Sequence, residues 1–197
     1  MLNELNAPIK RYGVVEWIRK YDLHICYLQE THFRTKDLHR LKGDGWEKIF
    51  QAHGQENKAG IAILISDKID FKTKAIKRDR EGHFIILKCI IHQKDMNFVN
   101  IYAPNIGAPK YVRKLLENFK RAIDSNRLTV RDFNIPLSTM ERSSKQRIYK
   151  DIVALNDTLD QMDLTDIYRD FHPKEAKYTL LSNAYGTFSK IDRMIGH

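Results

Sequence analysis

Four short stretches of the 197-residue chain interrupt apolar runs with side chains able to do chemistry. They are Gln29-Glu30-Thr31-His32, Asn100-Ile101-Tyr102-Ala103-Pro104-Asn105, Asp132-Phe133-Asn134 and Ser189-Lys190-Ile191-Asp192. A carboxylate at a strand end can hold a hard divalent cation through oxygen. Mg²⁺ takes one or two carboxylates and fills its other positions with water and phosphate. Asp132 and Asn134 are spaced so that an extended backbone puts both on one face. There one side chain can manage a proton while the other donates hydrogen bonds to a phosphate oxygen. Each stretch also has a purely structural reading. Glu30 alone reads as a solvated loop residue, and Asp-x-Asn is a common turn or helix-entry device. Tyr102 can cap the core with its hydroxyl in water, and Asp192 can simply pair with Arg193. The eight histidines form no His-Glu-x-x-His and the two cysteines no Cys-x-x-Cys, which argues against zinc.

These stretches need elements to position them. Val14, Trp17, Ile18 and Tyr21 recur at three- and four-residue spacing after Asn6-Ala7-Pro8, the buried stripe of a surface helix. Val112, Leu116, Phe119 and Ile123, preceded by Pro109, predict a second helix, and Ile152, Leu155, Leu159 and Met162 a third. Between them lie extended segments: Leu23 to Leu28, Ile49–Ala52, Ile61–Ile65, Phe84–Ile91, Phe98–Tyr102 and Leu128–Val130. Turns are expected at Glu81-Gly82 and Lys94-Asp95. Strands come first as hairpin-like neighbours and later alternate with helices. That order predicts stacked sheets flanked by helices, a layered α/β domain. In such domains ligands often bind just beyond strand ends, where all four polar stretches fall.

Composition bounds the rest. Hydrophobic residues make up 42% and charged residues 30%, a globular balance. The length suits one domain, and no repeat or linker composition divides it. The longest uncharged apolar run, Ala59 to Ile65, is far short of a membrane span, so no membrane partner is expected. Met1-Leu2-Asn3-Glu4 has neither the basic nor the apolar region of a secretory signal. Cys26 and Cys89 sit inside apolar strand-like runs and read as buried thiols of a reducing compartment. The expected location is intracellular, nuclear or cytoplasmic. The net charge of +9 points to a polyanionic partner. Within that excess, Lys72, Lys74, Lys77, Arg78 and Arg80 read as a solvated strand face rather than a dedicated groove.

Taken together and in order, the four stretches resemble the endonuclease/exonuclease/phosphatase superfamily. The nearer likeness is to the endonuclease domain that opens the second open reading frame protein of mammalian LINE retrotransposons. Leu5 to Arg11, Lys58 to Leu64, Asp166-Ile167-Tyr168-Arg169 and Phe171-His172-Pro173-Lys174 are similar to that domain as well. The likeness runs over residues 1–197.

The resemblance implies a single domain folded as a four-layer α/β sandwich, with the site at one end. It assigns Glu30 to Mg²⁺, with Mn²⁺ as a substitute ion, and no small-molecule cofactor. Asp132 would orient or deprotonate the attacking water, Asn134 hold the scissile phosphate and Tyr102 place its hydroxyl near it. Asp192 would support a catalytic histidine. The reaction is attack of water on a phosphodiester, leaving a 3′-hydroxyl and a 5′-phosphate, with retrotransposon insertion as its setting. The partner would be double-stranded DNA, read by a monomer in an A·T-rich minor groove. Tyr178 to Ser189 is similar to the hairpin that family members lay there. Thr179, Asn183, Tyr185, Ile191 and Arg142 are the DNA contacts this implies.

The chain also departs from the family pattern. The resemblance makes Met1 stand where the family has a Mg²⁺-side Asn, so the first strand is expected to be missing. The chain ends at Gly196-His197, before the family's Ser-Asp-His motif and final strand, and His197 does not match that motif. Arg131 replaces a small Gly before Asp132, and Arg193 replaces a His after Asp192. The expectation is an incomplete domain of reduced stability with little or no nuclease activity. The alternatives are a DNA-binding remnant without catalysis and a non-functional fragment.

Overall fold

In the computed structural model, strand formation starts with a run that has no polar residue to expose. The structure describes residues 16, 18, 20–29, 31, 45, 46, 48–53, 60–104, 106–122, 128–131, 133, 135–138, 150–172, 180–182, 187–189 and 194–196. The chain divides into two compact units, Met1–Tyr102 and Ala103–His197.

In the first unit β1 (Ile25–Leu28) and β2 (Lys48–Ala52) flank β3 (Ile61–Ile65) on either side, both antiparallel to it. All five β3 side chains are buried, none more than 1% exposed. Both faces of the strand are covered, which explains the uninterrupted apolar run in place of an alternating one. Ala62 and Leu64 pack with Ile18, Cys26, Leu28 and Trp46. Ile61, Ile63 and Ile65 face the other way, onto Ile85, Leu87, Cys89 and Phe98. Burying one such aliphatic side chain contributes about 1.5–3 kcal/mol, so this double-sided strand anchors the unit.

The second face belongs to a meander of β4 (Phe71–Arg78), β5 (Phe84–Ile91) and β6 (Lys94–Ile101). β4 is the outer strand and is exposed at every position after Phe71. Lys72, Lys74, Lys77 and Arg78 stand on it and Arg80 follows, the solvated strand face expected from their spacing. Charged side chains on an outer strand, together with a register shift between Thr73 and Ala75, discourage another strand from pairing there. The β5–β6 turn lies at His92-Gln93, two residues before the expected Lys94-Asp95, and β6 accordingly starts at Lys94 rather than Phe98. Both turn residues have positive φ, 47° and 64°. That is the backbone of a two-residue turn whose twist matches the flanking strands.

The second unit holds α1 (Ala108–Ala122), β7 (Leu128–Arg131), α2 (Lys150–Asp160), β8 (Thr165–Asp166) and α3 (Ile167–Phe171). It also holds β9 (Leu180–Ser182), β10 (Thr187–Ser189) and β11 (Met194–Gly196). α1 buries Val112, Leu116 and Phe119 of the predicted stripe, together with Ala108 and Leu115, and packs against α2; Ile123 lies outside the described residues. α2 buries Ile152, Leu155 and Leu159. Pro109 falls inside the first turn of α1, where its missing N–H costs nothing. β11 lies between β7 and β8, antiparallel to both, and β9 and β10 pair as a hairpin. Asp166 caps α3 by accepting from the amides of Tyr168 (3.1 Å) and Arg169 (3.4 Å).

Two helices end alike. The Leu164 amide donates to Leu159 O and the Asp163 amide to Asp160 O, both at 3.0 Å, with Asp163 at φ 52°. The Leu23 amide donates to Ile18 O at 3.2 Å, with Asp22 at φ 45°. This closure normally carries glycine in the left-handed position, and here an aspartate occupies it in both cases. The closure at Asp22 corrects the sequence reading of Tyr21. The helix stops before Tyr21 can join the buried stripe, and the ring is 55% exposed.

Candidate functional site

The ends of β1 and β6 and the start of β3 meet in the first unit around one buried amide. Asn100 is fully buried on β6. Its Nδ2 donates to Leu28 O at 3.1 Å, on the last residue of β1, and to Ala62 O at 3.0 Å, on β3. Its Oδ1 accepts from Gln29 Nε2 at 3.3 Å, and the same Nε2 donates to Ile101 O at 2.7 Å. An amide buried between Val99 and Ile101 is costly unless donors and acceptors are matched, and here both ends are used.

Beyond the amide the loop after β1 is pinned again. Thr31 is 1% exposed, and its backbone N–H donates to Gly60 O at 2.9 Å. Gly60 leaves little room for a side chain. A Cβ built there would lie 3.1 Å from Thr31 Oγ1 and 3.2 Å from Ala52 O. His53 follows β2 beside this glycine. Partial desolvation, and then the charge of Arg78, hold its imidazole below its ordinary pKa. It is therefore neutral at pH 7.

Of the expected site residues, Tyr102 falls in the described part. It is half-buried directly after β6, packs against the cluster between the two sheets, and donates its backbone N–H to His83 O at 2.7 Å. Glu30, Asp132, Asn134, Asp192, Arg142, Thr179, Asn183, Tyr185 and Ile191 lie outside the described residues. Several of their neighbours are described. Gln29 and Thr31 bracket Glu30, and Phe133 and Ile135, buried at 0% and 4%, alternate with Asp132 and Asn134. The hairpin β9–β10 occupies the segment where a groove-binding hairpin was expected. Among the described residues no group of three or more His, Cys, Asp or Glu side chains could hold a metal ion, and no helix is long and apolar enough to cross a membrane.

Sequence reasoning quoted Gln29 and Asn100 within their motifs without giving either a task. The available signal was Asn100 itself, an amide set between Val99 and Ile101 in a strand with no room for an unpaired polar group.

No family model matches the chain. It is similar to the 149 kDa protein of transposon TX1 from Xenopus laevis, at 24% identity over 98% of the chain. The chain spans 15% of that protein's length. An AP endonuclease from Archaeoglobus fulgidus superposes with a TM-score of 0.72 at 18% identity, covering 95% of this chain and 81% of that one. A 3′-5′ exonuclease from Neisseria meningitidis gives 0.67 at 20% identity, covering 95% and 82%. A humanized D. rerio TDP2 gives 0.66 at 13% identity, covering 94% and 74%. By these similarities the chain has the endonuclease/exonuclease/phosphatase fold and is a distant homologue, along nearly its whole length, of a transposon protein.

Proposed function

We propose that this chain is a Mg²⁺-dependent phosphodiesterase of retrotransposon origin that nicks double-stranded DNA, leaving a 3′-hydroxyl. One observation carries the reading: the segments bracketing Glu30 and Tyr102 are hydrogen-bonded to each other at a common strand end. The fold, shared with an AP endonuclease and a 3′-5′ exonuclease, supports the reading. In the proposal the two units act as one catalytic domain, a four-layer sandwich that works as a monomer.

Each residue has a task in that reading. Glu30 holds Mg²⁺, or Mn²⁺ in its place; the ion supplies positive charge where charge builds on the phosphoryl oxygens. Asp132 orients the attacking water and takes its proton, Asn134 donates to the scissile phosphate, and Tyr102 offers its hydroxyl to the same group. Asp192 positions a proton-transferring partner. The buried Phe133 and Ile135 give Asp132 and Asn134 fixed neighbours. Arg142, Thr179, Asn183, Tyr185 and Ile191 contact DNA, favouring A·T-rich minor grooves through their width. Activity is slow, because Arg131 and Arg193 stand where the resembled enzymes keep Gly and His. An intracellular location, nuclear or cytoplasmic, belongs to the same proposal.

Supercoiled plasmid incubated with the chain should convert to open circles in Mg²⁺ but not in EDTA, and Glu30→Ala should stop the conversion. Arg131→Gly should raise the rate. Absence of nicking, or nicking indifferent to Glu30→Ala, refutes the proposal. A second reading, DNA binding without cleavage, is favoured by the cationic replacements Arg131 and Arg193. Gel shifts without Mg²⁺ that persist where nicking is absent would select it.

A further inference from the structure

We infer that Gln29 is a positioning residue that couples the Glu30 loop to Tyr102. The inference rests on the proposed phosphodiesterase reading and deepens it. Gln29 immediately precedes Glu30, and Ile101 immediately precedes Tyr102. The bond from the Gln29 side-chain Nε2 to Ile101 O, at 2.7 Å, therefore joins the residue before the proposed Mg²⁺ ligand to the residue before the tyrosine assigned to the phosphate. The second bond from that nitrogen, to Asn100 Oδ1, keeps the amide from rotating away. Asn100 is itself held by Leu28 O and Ala62 O, so its oxygen cannot follow a displaced loop.

The neighbouring contacts turn this into a common frame. Thr31, on the far side of Glu30, is tied to Gly60 O, and Tyr102 is tied to His83 O. The described residues on either side of Glu30 are thus held, Thr31 by Gly60 just before β3 and Gln29 by the end of β6. Of these links, only the Gln29 amide runs directly from the loop to the strand that carries Tyr102. Gln29 is half-buried rather than fully enclosed, so its amide can be removed with far less damage to the fold than that of Asn100.

Gln29→Met keeps the length and deletes both donors. Amide hydrogen exchange tests the coupling without reference to activity. In the variant the Thr31 and Tyr102 amides should accelerate together, about 10-fold, while Leu87 in the middle of β5 stays unchanged. A purely local packing role would release Thr31 alone. In nicking assays kcat should fall about 10- to 100-fold with the KM for DNA within about twofold, because misplacement of reacting groups by an ångström costs that much without weakening DNA contacts. The melting temperature should stay within about 3 °C of wild type, about 1 kcal/mol for a chain of this size.

Acceleration at only one of the two amides, or at neither, overturns the inference. So does a Gln29→Met enzyme with unchanged kcat. A wild-type chain that does not nick DNA refutes the proposed function instead, and the exchange result then decides the coupling by itself. A fall in kcat that merely follows the melting temperature across Gln29→Met and Asn100→Asp counts against a positioning role.

Discussion

Asn100→Asp is the sharpest probe of the strand-end cluster, because it keeps the shape and inverts the hydrogen bonding. The Asn100 amide gives one proton to each of two carbonyls, at 3.1 and 3.0 Å, in a fully buried place. A protonated carboxyl has one hydroxyl for these two oxygens, so one carbonyl loses its partner at a cost of about 1–3 kcal/mol. An ionised carboxyl satisfies neither, and burial disfavours its charge. The folded-state pKa of the new group therefore rises above its unfolded value of about 3.9. The folded protein then keeps a proton that the unfolded chain has released. Stability falls as pH rises above about 4, by about 1.4 kcal/mol per pH unit, until the buried carboxyl itself ionises. Urea titrations followed by tryptophan fluorescence report this, since Trp46 is buried in the cluster behind β3. Relative to wild type, the variant should lose about 1–3 kcal/mol at pH 4 and at least about 2 kcal/mol more at pH 7. An equal loss at the two pH values would refute the donor arrangement assigned to Asn100.

Other consequences are simpler to test. Asp163→Gly should stabilise the chain by about 0.5–1 kcal/mol, because glycine accepts the left-handed backbone at the end of α2 without the Cβ penalty. An unchanged or lower melting temperature would contradict that. Gly60→Ala should cost about 1–3 kcal/mol in thermal melts, since Thr31 and the Ala52 carbonyl must both give way, and a neutral substitution would show the loop to be loose. The Cys89 thiol is pushed up to about 12 by burial and then by the charge of Asp95. The unfolded thiol ionises first, so Cys89 contributes a loss of stability as pH climbs from about 9 toward 12, which Cys89→Val should remove. At neutral pH an aromatic disulfide reagent should modify Cys89 no faster than the β4–β5–β6 meander opens, and rapid labelling of the native chain would exclude that burial.

How much of this was readable beforehand follows from which interactions are local. The stripes at Val112, Leu116 and Phe119 and at Ile152, Leu155 and Leu159 announced α1 and α2, because a buried helix face repeats every three to four residues. β3 and β5 were visible as apolar runs. β11 was not: three residues, Met194 to Gly196, carry no periodicity, and their strand state depends on β7 and β8 from distant sequence. The end of the first helix was missed because Asp22 gives no glycine-like signal for a left-handed turn. The strand-end motifs were legible as polar interruptions, and Tyr102 lies at the end of β6 where its motif put it. The tie between Gln29 and Ile101 could not be read, since it joins residues 72 apart and depends on how two sheets stack.

The outermost strand of the meander has a consequence for the chain's behaviour at high concentration. Its neighbour β5 reads Phe84-Ile85-Ile86-Leu87-Lys88-Cys89-Ile90-Ile91, a segment with the makings of a fibril seed if left bare. Native β5 has partners on both sides, and the one facing outward is a cationic ribbon that repels its own kind. Peeling β4 away would uncover that apolar stretch, so the lysines on the solvated face of β4 serve as its guard against self-assembly.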